Sequence, residues 1–175
     1  MAVTVKVPTI SSAANWDRIT IKSADKDGTW FSNTGGPSDK TSLTRANEIP
    51  TEVFVVKGFE LSYEFGSTQE NVGTLCENGY FQLRLQEAPV AQYPMRSIPA
   101  FVALGGIDNR GTGATQVSVQ PTAYGRILAV TQEIPIRRAQ RLDAKFSSGG
   151  GPLLGVDTDV ALVLHGVSGQ LKIVQ

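Results

Sequence analysis

EVFVVKGFELSYEF, residues Glu52–Phe65, is the longest run of strand-forming residues in the chain, and its reading decides the fold. It is rich in β-branched and aromatic side chains, which suit a pleated, half-buried surface. From Phe59 onward the alternation is strict: Phe59, Leu61, Tyr63 and Phe65 point one way, and Glu60, Ser62 and Glu64 the other. Before Gly58 the phase differs, because Phe54 and Val56 are apolar at even positions. A bulge at Lys57–Gly58 absorbs one residue and brings Phe54, Val56, Phe59, Leu61, Tyr63 and Phe65 onto one face. The stretch therefore reads as one long strand bent at Gly58. Burial of its apolar side chains is offset by the entropy of ordering its backbone, so it needs partner strands and a facing sheet.

Working outward, the flanks supply them. Ala2–Val7 alternates valines with Thr4 and Lys6 and is expected to stop at Pro8; Arg18–Ser23 repeats the pattern with Ile19 and Ile21. Asp25-Lys26-Asp27-Gly28 before Thr29-Trp30-Phe31 predicts a hairpin turn. Ser32–Thr41 reads as a loop and Ser42–Asn47 as one helical turn. Ser67-Thr68-Gln69-Glu70 fits a capping box, opening a helix that Asn78-Gly79 ends. Tyr80–Glu87 alternates with Phe81, Leu83 and Leu85 inward, and Pro89, Pro94 and Pro99 make the adjoining stretch extended and irregular.

Phe101–Leu104, Val117–Val119 and Arg126–Gln132 read as strands, with glycine-rich loops at Gly105–Thr115 and Ser147–Pro152. Arg137–Phe146 fits both periods and is read as a helix or helical turn. Asp159–Gly166 and Gln170–Val174 are expected to close the chain as a hairpin over Val167–Gly169. The sum is an all-β protein of roughly eight to ten strands, a sandwich or closed barrel with at most short helices. Its 175 residues read as a single domain.

Composition agrees. Charged residues are 18%, below the usual quarter, while Gly 18 and Pro 9 supply many turns. Lys+Arg and Asp+Glu are both 16, so no basic stripe marks a nucleic-acid binder. Cys76 is the single cysteine, which excludes an intrachain disulfide. The opening MAVTVKVPT lacks the plan of a signal peptide, and the expectation is a soluble chain made inside the cell.

Chemistry-bearing residues are few. His165 is the only histidine, so no multi-histidine metal site exists within one chain; its phase, opposite to Leu162 and Leu164, marks a strand surface or seam. A Cys76–His165 thiol–imidazole pair finds no support around Cys76, which reads as a small buried hydrophobe. Glu60 and Glu64 lie about 13 Å apart along a strand, at about 3.3 Å per residue. A glycosidase acid and base need roughly 5–9.5 Å.

Asp25-Lys26-Asp27-Gly28 lacks the ligand spacing of a calcium loop, and Asp157-Thr158-Asp159 reads as a strand cap. The expectation is no cofactor and no metal. Trp16 and Trp30 form either a sugar platform or core packing, with core packing favoured for Trp30. Arg137, Arg138, Arg141 and Lys145 are the one basic cluster. On a helix, Arg137, Arg141 and Lys145 share a face, which reads by default as solvated, with contact to an anionic partner as the alternative.

With its opening MAVTVKVP, the strand EVFVVKGFELSYEF, its strand-dense remainder and its length, the whole chain resembles the small major capsid proteins of tailless icosahedral bacteriophages with an internal membrane, the single vertical jelly-roll lineage. The resemblance implies a single jelly-roll β-barrel in a virion shell, made in the host cytoplasm and assembling with itself and a larger capsid protein. It also implies a membrane between shell and DNA, hence no direct nucleic-acid binding, and it carries no catalytic residues. The alternatives are a carbohydrate-binding β-sandwich module and, third, a jelly-roll glycoside hydrolase with a cross-strand carboxylate pair.

Overall fold

The Glu52–Phe65 stretch forms β3 (Val53–Tyr63) in the computed structural model, which describes residues 5–32, 41–63, 69–98, 100–102, 127–148, 154–155 and 157–174. The other described strands are β1 (Val5–Ile21), β2 (Asp27–Trp30), β4 (Tyr80–Leu85), β5 (Ala88–Pro94), β6 (Ala100–Val102), β7 (Leu128–Arg137), β8 (Leu142–Ser147) and β9 (Thr158–Val174). Helix α1 (Gln69–Asn78) and a short 3-10 turn at Met95–Ser97 complete them. The chain is an all-β sandwich. One sheet runs β1-β9-β3, with β7 and then β6 along the far edge of β3; the other runs β2-β8-β4-β5. Pairing is antiparallel throughout, except that β6 lies parallel to β3.

The bulge expected at Lys57–Gly58 is there. Val56 pairs with Gly166 and Gly58 with His165, leaving Lys57 without a partner on β9. Phe54, Val56, Phe59, Leu61 and Tyr63 are fully buried on one face; Phe65 lies outside the described residues. Gly58 is needed because β7 crosses tightly: a Cβ there comes within 2.9 Å of the Leu128 carbonyl oxygen and collides with Ile127. The inner faces of the two sheets meet as rings. Phe59 packs edge-on against Phe81 at 4.9 Å between centroids, and Tyr93 closes against both. Trp30 is completely buried against Phe146, and its indole N–H donates to the Val160 carbonyl at 3.0 Å. This core of large side chains, each contributing about 1.5–3 kcal/mol on burial, holds the sandwich.

Several elements differ from the sequence reading. β1 does not stop at Pro8; it runs through it and through the Ser/Ala-rich stretch, paired with β9 from Val5↔Val174 to Ile21↔Thr158. Proline is tolerated because β1 is an edge strand at that point. The N-terminal strand thus pairs within its own chain. Likewise β9 has no turn at Val167–Gly169. Gly166 stands there for contact: a Cβ clashes with the Val55 carbonyl and lies 3.0 Å from the Phe54 ring.

Asp25–Gly28 makes no hairpin. The Asp25 N–H closes a turn onto the Lys22 carbonyl at 2.9 Å, but β2 then pairs with β8 in the other sheet. Ser42–Asn47 is not helical; it straps the sheets together, with the Asn47 side chain donating to the Leu142 carbonyl at 2.9 Å. Helix α1 is where the capping box placed it, ending where the Gly79 N–H meets the Leu75 carbonyl at 2.8 Å; the capping residues Ser67 and Thr68 lie outside the described residues.

The proline-marked stretch after Glu87 is extended as expected and forms an edge strand, β5, with one irregularity where Val90 falls between the Leu83↔Ala91 and Arg84↔Pro89 pairs. It is entered by a tight turn in which Gln86 and Glu87 both take positive φ, 51° and 68°. Arg84 holds that turn, donating to the Glu87 carbonyl at 2.6 and 3.1 Å. Val117–Val119, the loop Gly105–Thr115 and most of Ser32–Thr41 and Ser147–Pro152 lie outside the described residues.

Candidate functional site

The basic cluster is taken apart by the fold. Residues 137–146 are the end of β7, a turn and most of β8, so no helical face collects Arg137, Arg141 and Lys145. The phase explains it: Leu142, Ala144 and Phe146 are buried on the inner face of β8, and this period of two prevails over the helical one. Arg138 lies 3.4 Å from Glu48, and Arg141 3.0 Å from Glu87. Arg137 and Lys145 are exposed and make no ion pair among the described residues. Arg137 ends a strand of one sheet while Lys145 lies on the outer face of the other.

Beneath the turn lies a buried negative charge. The Asp143 side chain is 4% exposed, with Arg84 at 3.6 Å and Arg141 at 4.0 Å. Arg84 comes from β4 and Arg141 from the β7–β8 turn, so one buried carboxylate joins two turns at the same end of the sheet. Half of the basic cluster is therefore internal structure.

On the outer face of the five-stranded sheet, His165 Nε2 meets Glu60 Oε2 at 2.6 Å. His165 does lie opposite in phase to Leu162 and Leu164, which are buried. Its partner is Glu60 rather than Cys76, which is half-buried rather than buried and whose thiol contacts the Tyr63 hydroxyl at 3.6 Å. Burial, and then the neighbouring thiol, push the Tyr63 hydroxyl well above the usual tyrosine range. Glu64 lies outside the described residues.

The two tryptophans do not share a surface. Trp30 is core, whereas Trp16 is half-buried on β1, where Ser42 hydrogen-bonds both its N–H and its carbonyl. A platform built from both is thereby removed. Asp157 accepts from the Lys22 ammonium at 2.8 Å and from the Ser23 N–H at 2.9 Å. The hydrogen bond from Lys22 holds its carboxyl below the usual carboxylate range and in turn holds Lys22 above its own. This is a strand cap on the surface, as the Asp157-Thr158-Asp159 pattern suggested. Among the described residues no group of three or more His, Cys, Asp or Glu is placed to hold a metal ion, and no helix is long and apolar enough to cross a membrane.

The outer face of the four-stranded sheet carries a further set of polar side chains. Thr29, Lys145, Gln82 and Gln92 stand opposite one another in a row across β2, β8, β4 and β5. The next row is Asp27, Ser147, Tyr80 and Pro94. Alternation shows that these point outward, but only the pairing order reveals that they form rows. No protein-family model, curated protein or solved structure matches this chain.

Proposed function

We propose that this chain is a structural subunit of a viral capsid, folded as a jelly roll and building an icosahedral shell by association with itself and with a second capsid protein. The observation that carries the reading is the strand order. β1 lies beside β9, β2 beside β8 and β4 beside β5, and the two sheets take alternate pairs of the chain. This pairing supports the winding of a double-sheet jelly roll, an architecture common among capsid subunits. The resemblance of the sequence to the small major capsid proteins of internal-membrane phages points the same way. In this reading the role is architectural rather than catalytic, and the subunit acts in the virion without touching nucleic acid.

The proposed contact to an anionic partner, a neighbouring subunit or the membrane under the shell, narrows to the β7–β8 turn. There Arg137 is the charge without an internal ion-pair partner among the described residues. The deciding experiment is density-gradient separation of particles from the native source, with mass spectrometry and electron microscopy of each fraction. The chain is expected as a major component of icosahedral particles. Finding it only among free proteins at the top of the gradient overturns the proposal.

A further inference from the structure

We propose that the outer face of the four-stranded sheet is a binding surface for a neutral, polyhydroxylated ligand, a glycan. The argument starts from the two rows. In the first, Thr29, Lys145, Gln82 and Gln92 lie side by side, one from each strand, at the roughly 4.8 Å spacing of neighbouring strands. In the second, Asp27 and Tyr80 flank Ser147. Together they line a trough of about 340 Å³.

The chemistry is that of hydroxyl recognition. Gln82 Nε2 donates to Gln92 Oε1 at 3.2 Å, which orients both amides and leaves an acceptor on Gln82 and a donor on Gln92 facing outward. Thr29 adds a hydroxyl, and Tyr80 adds a half-buried ring with a polar tip, suited to the apolar face of a sugar. Lys145 supplies an ammonium with no ion pair among the described residues. Donors and acceptors thus alternate across a surface held rigid by four paired strands.

Charge selects the ligand class. Among the described residues that line the trough, Lys145 is the one cation and Asp27 the one anion, so their charges balance. A phosphate or nucleic acid drawn to Lys145 meets the Asp27 carboxylate in the adjoining row, whereas a neutral sugar uses both groups as hydrogen-bond partners. The surface is separate from Trp16 and from the β7–β8 turn, and the inference does not rest on the capsid reading.

The test uses the purified full chain with a panel of neutral hexasaccharides (glucans, mannans and galactans), read by saturation-transfer NMR and calorimetry. Binding of at least one is expected, weakened tenfold or more by Gln82→Ala and by Lys145→Ala, two outward-facing positions whose variants should melt as the parent does. Trp16→Ala should leave binding unchanged. Three outcomes overturn the proposal. They are no binding across the panel, binding insensitive to both trough variants, and preferential binding of heparin or inorganic phosphate that salt abolishes.

Discussion

His165 reaches diagonally across the sheet to Glu60, although the residue directly opposite it on β3 is Gly58. The bulge at Lys57 sets that register, so the pair depends on the same irregularity that aligns the core face of β3. Cross-strand pairs of this kind contribute about 0.2–1 kcal/mol. A double-mutant cycle of Glu60→Gln and His165→Gln by urea denaturation at neutral pH should give a coupling in that range. Strict additivity means that the 2.6 Å contact contributes nothing.

Two glycines three residues apart on β9 should behave oppositely. Gly166→Ala forces a methyl into the Val55 carbonyl and the Phe54 ring, so a loss of about 1–3 kcal/mol is expected. Gly169 has nothing within 4 Å of an added Cβ, and Gly169→Ala should be neutral or stabilise by about 0.4–1 kcal/mol through the unfolded state. Equal effects in chemical denaturation contradict the continuous strand.

Asp143 needs its guanidiniums. Arg84→Met leaves a buried carboxylate with only the more distant Arg141, and should cost about 3 kcal/mol. Arg141→Glu places a negative charge beside both Asp143 and Glu87 and should also lower the melting temperature. Arg137→Glu, on an exposed residue without an ion pair among the described residues, should not. A melting temperature insensitive to Arg84→Met removes the carboxylate's structural role.

Tyr63 predicts an alkaline limit. Its folded pKa lies above the ordinary value of 10.0, so the stability tied to its neutral hydroxyl is complete below pH 10. Above that pH the unfolded chain releases the proton first, and stability falls until the folded pKa is passed. Tyr63→Phe should flatten the decline in denaturation midpoint above pH 10. A parallel decline in both proteins assigns it elsewhere.

The legible parts were those where one face is apolar along the whole element. β3, β4 and the helix after the capping box announce themselves because Phe81 to Leu85, and Val72, Leu75 and Cys76, each keep a single period, while Phe54 to Tyr63 keeps a period of two that slips once, at the Lys57–Gly58 bulge. β1 hides because polar Asn15 and Asp17 occupy inward positions. Asp17 is buried accepting the Phe31 N–H, a partner fourteen residues away that no local pattern displays. The Gln86–Glu87 turn hides because its left-handed backbone is held by Arg84 rather than by an Asn-Gly pair. The outward rows on the four-stranded sheet were invisible for a similar reason: a row is a property of register, and register is set between strands far apart in sequence.

β9 lies between β1 and β3, yet it is the last of the described strands to be synthesised. Until it emerges from the ribosome, β1 has no partner strand and β3 lacks one of its neighbours. The larger sheet therefore closes after translation has passed residue 158, by contacts that span most of the chain. Such high contact order places folding at roughly milliseconds to seconds. During that interval β1 and β3 are exposed edges, and neighbouring nascent chains on one messenger are the setting in which such edges pair wrongly.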